Sequence, residues 1–339
     1  MKILVFRPDQ LGDVILATPV FENLKYNYPD SEIISLTGTW TKKIIENNPY
    51  IDKNIFYDYV FFNREKKLNI FYTFINIIKL LYIVRREKLD IFIDLKSHLK
   101  SLLICYCSGA KTKVGKSNGL RGFFLNHKIP FNSNTYELDN NLNVISTFCK
   151  IKSSKICIYP GNNEKKKLNN IKTNFFDHKL SIFPYAPSPI KRIPYHYWEN
   201  IIEFLNKNKI SVYMLGGVDA TKFSEKINFD KKLNKSFIGK LSIYETYLRL
   251  SQSKYCISLD TFGSHLSTAA DLPKLIIYTY ANPHQWSSKQ GAKTLIIHKK
   301  FDCFPCKVPF DMTVCDYKNR CVDSITYDEF EKKVLELIS

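Results

Sequence analysis

Largely apolar runs five to eight residues long recur along the chain, rich in β-branched residues and set between helix-length amphipathic segments. The runs are KILVF (2–6), EIISLTG (32–38), NIFYD (54–58) and DIFIDL (90–95), then LSIFPY (180–185), ISVYMLGG (210–217), YCISLD (255–260) and LIIYTYA (275–281). Continuous apolar strands alternating with amphipathic helices predict parallel sheets joined by crossover helices. The two sets of runs are separated by a segment, 132–179, that is amphipathic at first and then lysine-rich. A domain boundary is expected near residues 155–178, giving domains 1–165 and 166–339. Ligands of such sheets bind beyond the carboxyl ends of the strands, so the chemistry is expected there.

The first such strand end is RPDQLGDVILATP (7–19), a turn into a helix with one glycine, Gly12, and an acid, Asp13, behind it. A carboxylate there would repel a phosphate. Val14, Ala17, Phe21 and Leu24 mark the buried side of the helix. Two readings of Asp13 are open, a helix cap or a group facing a cleft. Pro19 falls inside the expected helix, which it should kink or end. In the second set, SLDTFGSHLSTAADLP (258–273) is a strand, a polar turn and a small-residue helix. Its Asp260, Thr261, Gly263, Ser264 and His265 suit a diphosphate site, or are ordinary capping residues. Upstream, SPIKRIPYHYW puts Lys191 and Arg192 after another strand, as phosphate cations or as a solvated basic loop.

Composition narrows the choice. Fifty Lys and Arg against 32 Asp and Glu leave a formal charge of +18, which favours an anionic partner or a merely solvated basic surface. DLKSHLKS (94–101) brings Lys96, His98, Lys100 and Ser101 to a strand end, with Lys111, Lys113, Lys116 and Arg121 following. The first apolar run is five residues long and runs into Arg7, Asp9 and Asp13, so no secretory signal is expected. The greasiest stretch, IFYTFINIIKLLYIV (70–84), is too short to span a bilayer and reads as a core helix, with a membrane-surface helix as the alternative. Of the nine cysteines, Cys105, Cys107, Cys149, Cys157 and Cys256 read as packing residues. Cys303, Cys306, Cys315 and Cys321 are spaced for a structural zinc, for free thiols or for disulfides. There is no G-x-G-x-x-G, against a nicotinamide dehydrogenase, and no nucleic-acid-binding signature beyond the charge. A non-catalytic polyanion-binding α/β protein is the distant alternative.

The opening FRPDQLGDVILATPVFENLKYNYPD, KRIPYHYWENII, the LGG at 215–217 and GKLSIYETYLRLSQSKYCISLDTFGSHLSTAADLP together resemble the ADP-heptose:lipopolysaccharide heptosyltransferases, glycosyltransferase family 9. The resemblance implies a GT-B fold, two Rossmann-like doubly wound domains facing across a cleft, with the last helix free to pack back on the first domain. It implies an inverting cytoplasmic enzyme, peripheral to the inner membrane, that needs no cofactor for catalysis. Asp13 then matches the general base, and the helix start should keep it ionised. Lys191, Asp260, Thr261, Gly263 and His265 match the family's diphosphate site, and Ser188, Gly216 and Ser264 are expected beside them in the ADP-heptose site. Lys96, His98, Lys100 and Arg121 would meet an anionic lipopolysaccharide core, and nucleic acid is not expected as a partner. No D-x-D pair occurs, so helix amides and Lys191 must stabilise the leaving group. PYAPSP (184–189) departs from relatives that carry a glycine and hydroxyls before the lysine, which leaves another nucleotide-sugar or acceptor as the alternative.

Overall fold

The computed structural model describes residues 1–58, 70–161, 164, 179–288, 291–304, 315 and 320–339, without the side chains of 70–73 and 119–121. The chain divides into two compact units, Met1–Tyr159 and Pro160–Ser339. In the first, six strands, β1 (Lys2–Phe6), β2 (Glu32–Thr37), β3 (Lys53–Phe56), β4 (Ile91–Asp94), β5 (Thr112–Lys116) and β6 (His127–Ile129), form a sheet of order β3-β2-β1-β4-β5-β6. All its pairings are parallel. In the second, β7 (Lys179–Phe183), β8 (Ser211–Met214), β9 (Lys235–Ser236), β10 (Tyr255–Leu259), β11 (Lys274–Tyr278) and β12 (Thr294–His298) pair in the order β12-β11-β10-β7-β8-β9, again all parallel. Counted within each unit, both sheets have the order 3-2-1-4-5-6. The strand order reverses beside β1 and β4 in one and beside β7 and β10 in the other, which is where a doubly wound sheet opens a crevice.

Every expected apolar run is a strand, and the central strands bury both faces. Leu4 and Phe6 of β1 pack with Ile34, Leu36 and Phe92 against the helices Ile70–Arg86 and Leu99–Cys107, while Ile3 and Val5 alternate to the other face. The predicted buried stripe, Val14, Ala17, Phe21 and Leu24, is fully covered. Pro19 does not kink a helix. The segment forms two, Leu11–Ile15 and Thr18–Asn27, and Pro19 sits in the first turn of the second, where its missing N–H has no helical partner to lose. The stretch 70–84 is only half a core helix, because Leu80 and Val84 are buried whereas Phe74, Ile78 and Tyr82 are exposed.

In the second unit, Trp198 of the helix Tyr195–Lys207 meets Phe330 edge-to-face at 5.7 Å. The last helix, Tyr327–Ile338, which the sequence left free to pack back on the first domain, places Phe330, Val334 and Leu337 in this unit's own core.

Candidate functional site

The turn after β1 holds a buried ionic cluster. Arg7, 3% exposed, is the last residue before the turn, so its side chain leaves the sheet at the strand-order reversal. Its Nε lies 3.0 Å from Asp9 Oδ2, and its Nη2 lies 3.0 Å from both Asp13 Oδ1 and Glu137 Oε1. Nη1 donates to the carbonyl of Leu95 and to Asn141 Oδ1 at 3.4 Å. Lys96, after β4, pairs with Asp9. Lys116, at the end of β5, pairs with Glu137 at 2.7 Å and donates to Asn141 Oδ1 at 3.2 Å. Three cations thus face three carboxylates, a balance that buried charge requires.

The carboxylates differ in access. Asp9 and Glu137 side chains are 5% and 4% exposed, against 20% for Asp13. Asp13 is not a cap, since Gln10 is the N-cap of the helix and Asp13 bonds Arg7. Burial, together with the negative charge of Asp9 and Glu137, outweighs Arg7 and Lys96 and raises its pKa. The helix start therefore does not lower the Asp13 pKa as expected: a five-residue helix contributes a weak field, and desolvation outweighs it. Burial also acts on Asp9, but there Arg7 and Lys96 prevail and lower the pKa. Asp94, fully buried at the end of β4, accepts from the amides of Lys96 and Ser97 at 2.9 Å. Its burial still raises the pKa to about 6.

Around this cluster, His98 and Lys100 are exposed at the start of Leu99–Cys107, with Ser101 Oγ accepting from the His98 amide at 3.0 Å. Lys96 and Lys116 are not free basic groups on a solvated face, because each serves a carboxylate of the cluster. The Arg121 side chain lies outside the described residues. The sequence reading missed Arg7, Glu137 and Asn141 as parts of a site, and grouped Lys116 with the basic residues facing an anionic partner rather than with Glu137. The signal was a glutamate and an asparagine four apart on the apolar side of the helix Glu137–Ser146, both buried.

In the second unit, β7, β10 and β8 are neighbours, so the loops after them converge. Lys191 Nζ donates to the Asp260 carbonyl and to Asp260 Oδ2, both at 2.7 Å, and stands 5.0 Å from the Tyr280 ring centre. Burial pulls its pKa down, but Asp260 and Tyr280 more than compensate, so the pKa is raised. The lysine is therefore a fixed cation that must exchange a partner to reach a phosphate. Arg192 is engaged elsewhere: it donates to the carbonyls of Ala186 and Pro187, at 2.6 and 2.7 Å, and to the Tyr185 hydroxyl at 2.9 Å. It clamps the loop in which Ser188 starts the 3-10 turn carrying Lys191.

Thr261 is the N-cap of the helix Phe262–Ala269 without a side-chain cap bond, so first-turn amides keep donor capacity. Ser264 Oγ donates back to the Thr261 carbonyl at 2.7 Å. Gly263 has a packing reason of its own, because a Cβ there would stand 2.3 Å from the Phe183 ring. His265 is buried beside Trp286, with ring centres 6.1 Å apart. Burial lowers its pKa to about 4, so it presents a neutral imidazole and not a cation. Gly216 follows β8 and accepts from the Gly239 amide at 3.0 Å.

The metal reading rests on four cysteines that are not all described. Cys303, Cys315 and Cys321 form no disulfide, and the Cys321 thiol pKa is pushed up by burial and by Cys315 and Cys303 nearby. Cys306 lies outside the described residues, and among those described no set of three His, Cys, Asp or Glu is placed to hold a metal ion.

Comparison with known proteins supplies the remaining findings. The sequence model described as glycosyltransferase family 9 (heptosyltransferase) matches residues 77–313. Lipopolysaccharide heptosyltransferase 3 of Escherichia coli (strain K12) is 30% identical over 139 residues, which cover 40% of this chain and 38% of that relative. A second lipopolysaccharide heptosyltransferase 3 of Escherichia coli is 21% identical over 284 residues, covering 79% of this chain and 80% of the relative. The solved structure of E. coli ADP-heptose lps heptosyltransferase II superposes with a TM-score of 0.72 at 15% identity, covering 100% of this chain and 98% of that one.

Proposed function

Since the chain belongs to glycosyltransferase family 9 and is a glycosyltransferase, we propose that it moves a heptose from ADP-heptose to the inner core of a lipopolysaccharide, with inversion and with Asp13 as general base. The observation that carries this reading is the inequality of the carboxylates around Arg7. Asp9 and Glu137 are closed off, and Asp13 alone of the three keeps an open side chain. Its raised pKa makes it a stronger base than an ordinary carboxylate.

In the proposed reaction, Asp13 takes the proton of an acceptor hydroxyl as that oxygen attacks the anomeric carbon. The bond from that carbon to the diphosphate oxygen breaks, and the electron pair leaves with ADP. Charge growing on the diphosphate is met by Lys191 and by amides at the start of Phe262–Ala269, supported by the Thr261 and Ser188 hydroxyls. Asp260 holds Lys191 in place, and neutral His265 can add a hydrogen bond without charge. Exposed His98 and Lys100 would meet an anionic acceptor. No step is routed through a metal.

The second reading, another nucleotide-sugar, is favoured by one feature: the Arg192-clamped loop offers Ser188 as its hydroxyl before Lys191. A melting-temperature panel with ADP, UDP, GDP and CDP separates the two, because a ligand bound by the native state raises stability. The proposal predicts the largest shift with ADP, and transfer from ADP-heptose. A larger shift with another diphosphate, and no transfer from ADP-heptose, would select the second reading.

A further inference from the structure

Glu137 opens the ten-residue helix Glu137–Ser146 and is 3% exposed. A glutamate in a first turn ordinarily faces water, where the positive end of the helix favours its charge. Here the side chain turns inward instead. Its Oε1 lies 3.0 Å from Arg7 Nη2 and 2.7 Å from Lys116 Nζ. One turn on, Asn141 Oδ1 accepts from the same two cations, from Lys116 at 3.2 Å and from Arg7 Nη1 at 3.4 Å. The Asn141 side-chain amide donates at 3.3 Å to the carbonyl of Leu16, the residue that closes the helix carrying Asp13. The helix Glu137–Ser146 is therefore fastened to Asp13 twice, through its cation and through the end of its helix.

The two acids meet at Arg7 Nη2. This nitrogen carries two N–H groups, and it donates to Asp13 Oδ1 and to Glu137 Oε1, both at 3.0 Å. The two oxygens are thus at most twice that distance apart, close enough for one charge to raise the proton affinity of the other. Glu137 is held there by the second cation, Lys116. The other charged groups around Asp13 are Asp9 on its own turn and Lys96 after β4, which pair with each other. Farther out, His98 acts on Asp9, and Lys116 acts on Asp94 as well as on Glu137. Burial, Asp9 and Glu137 raise the Asp13 pKa, whereas Arg7 and Lys96 lower it. Of the two acids, Asp9 lies at Nε of Arg7 and Glu137 shares the nitrogen that Asp13 uses.

We propose that Glu137 is a positioning residue for proton removal: by sharing Nη2 of Arg7 with Asp13, it aims the Asp13 carboxyl and limits how far that arginine neutralises it. The inference rests on the reading of Asp13 as the base and deepens it.

The test is the pH profile of kcat, with melting temperature and ADP affinity measured on each variant. Wild-type activity should rise with pH as Asp13 loses its proton. Glu137→Gln keeps an oxygen for Arg7 and Lys116 but not the charge, so Arg7 bears more fully on Asp13. Its acid limb should move to lower pH by about one unit. Its plateau should fall roughly threefold, because a weaker base takes the proton less readily. Glu137→Asp keeps the charge, so its limb should stay at the wild-type pH even where kcat drops. Lys116→Gln leaves Glu137 without its second cation and should move the limb to higher pH, which carries the test should Glu137→Gln not fold. In an Asp13→Asn background, adding Glu137→Gln should change kcat by less than about twofold, because it acts through Asp13. ADP affinity should be unchanged by every one of these substitutions.

Limbs that stay at the wild-type pH in Glu137→Gln and Lys116→Gln, or that move the same way in both, would overturn the proposal and leave Glu137 a structural ion pair. Equal slowing by Glu137→Gln with and without the Asp13 carboxyl would overturn it too. Wild-type transfer by Asp13→Asn alone would instead refute the reading of Asp13 as the base, and this inference with it, so the two failures are told apart.

Discussion

The turn after β1 and the turn after β7 occupy the same position in two sheets of the same strand order, and they carry opposite chemistry. The first surrounds one arginine with three carboxylates and leaves Asp13 open. The second holds a lysine against one aspartate, next to a helix start whose N-cap side chain makes no cap bond. Topology thus fixes where a site forms, and in the proposed function the residues at the strand ends decide whether it removes a proton or receives a diphosphate. The acidic side also needs much more buried support, because a carboxylate can serve as a base only if neighbouring charges are balanced without closing it off.

The largest effect should come from breaking the first turn at its centre. Arg7→Met leaves Asp9 and Glu137 buried without their shared cation, and unfolding in urea should show a loss of about 3–5 kcal/mol, together with loss of transfer. A variant as stable as wild type would mean that Lys96 and Lys116 suffice. The matching change in the second turn is Lys191→Ala. It should reduce kcat by on the order of 10²–10³-fold and also weaken ADP binding, because the lysine meets charge that grows as the diphosphate leaves. Unchanged rate and affinity would remove Lys191 from the donor site.

A smaller difference lies in pH dependence. Asp94 has a folded pKa raised to about 6 by burial. The fold therefore favours its protonated form, and its contribution to stability is present below about pH 4 and lost as pH rises to about 6, by roughly 3 kcal/mol. Asp94→Asn should flatten the stability of the chain over that window relative to wild type. Parallel curves for the two proteins would show that Asp94 titrates normally.

Much of this was legible in the sequence where apolar pattern decides structure. The eight apolar runs are strands, and Val14, Ala17, Phe21 and Leu24 form the buried stripe. β5, β6, β9 and β12 were not anticipated. TKVGK, HKI and KS carry too little apolar pattern to stand out, and TLIIH follows a polar loop closely. The restart of the helix at Thr18 could have been read from Pro19, whose place in a first turn costs no hydrogen bond. At the sites, strand-end position singled out Asp13, Lys191 and Asp260, but not what each touches. Arg7 and Glu137 are 130 residues apart in the chain, a pairing that local pattern does not encode. Likewise local pattern does not show that the Phe183 ring fills the space a Cβ at Gly263 would need.

The division of labour between the two turns is tested most directly by Asp13→Asn, with kcat and ADP affinity measured on the same preparation. Asparagine keeps the shape and can still meet Arg7 through its carbonyl oxygen, but it cannot take a proton. The account predicts that kcat falls by on the order of 10²–10⁴-fold while ADP affinity stays within about twofold, since the donor is bound by the other unit. Transfer at close to the wild-type rate would contradict it and return Asp13 to a purely structural role beside Arg7.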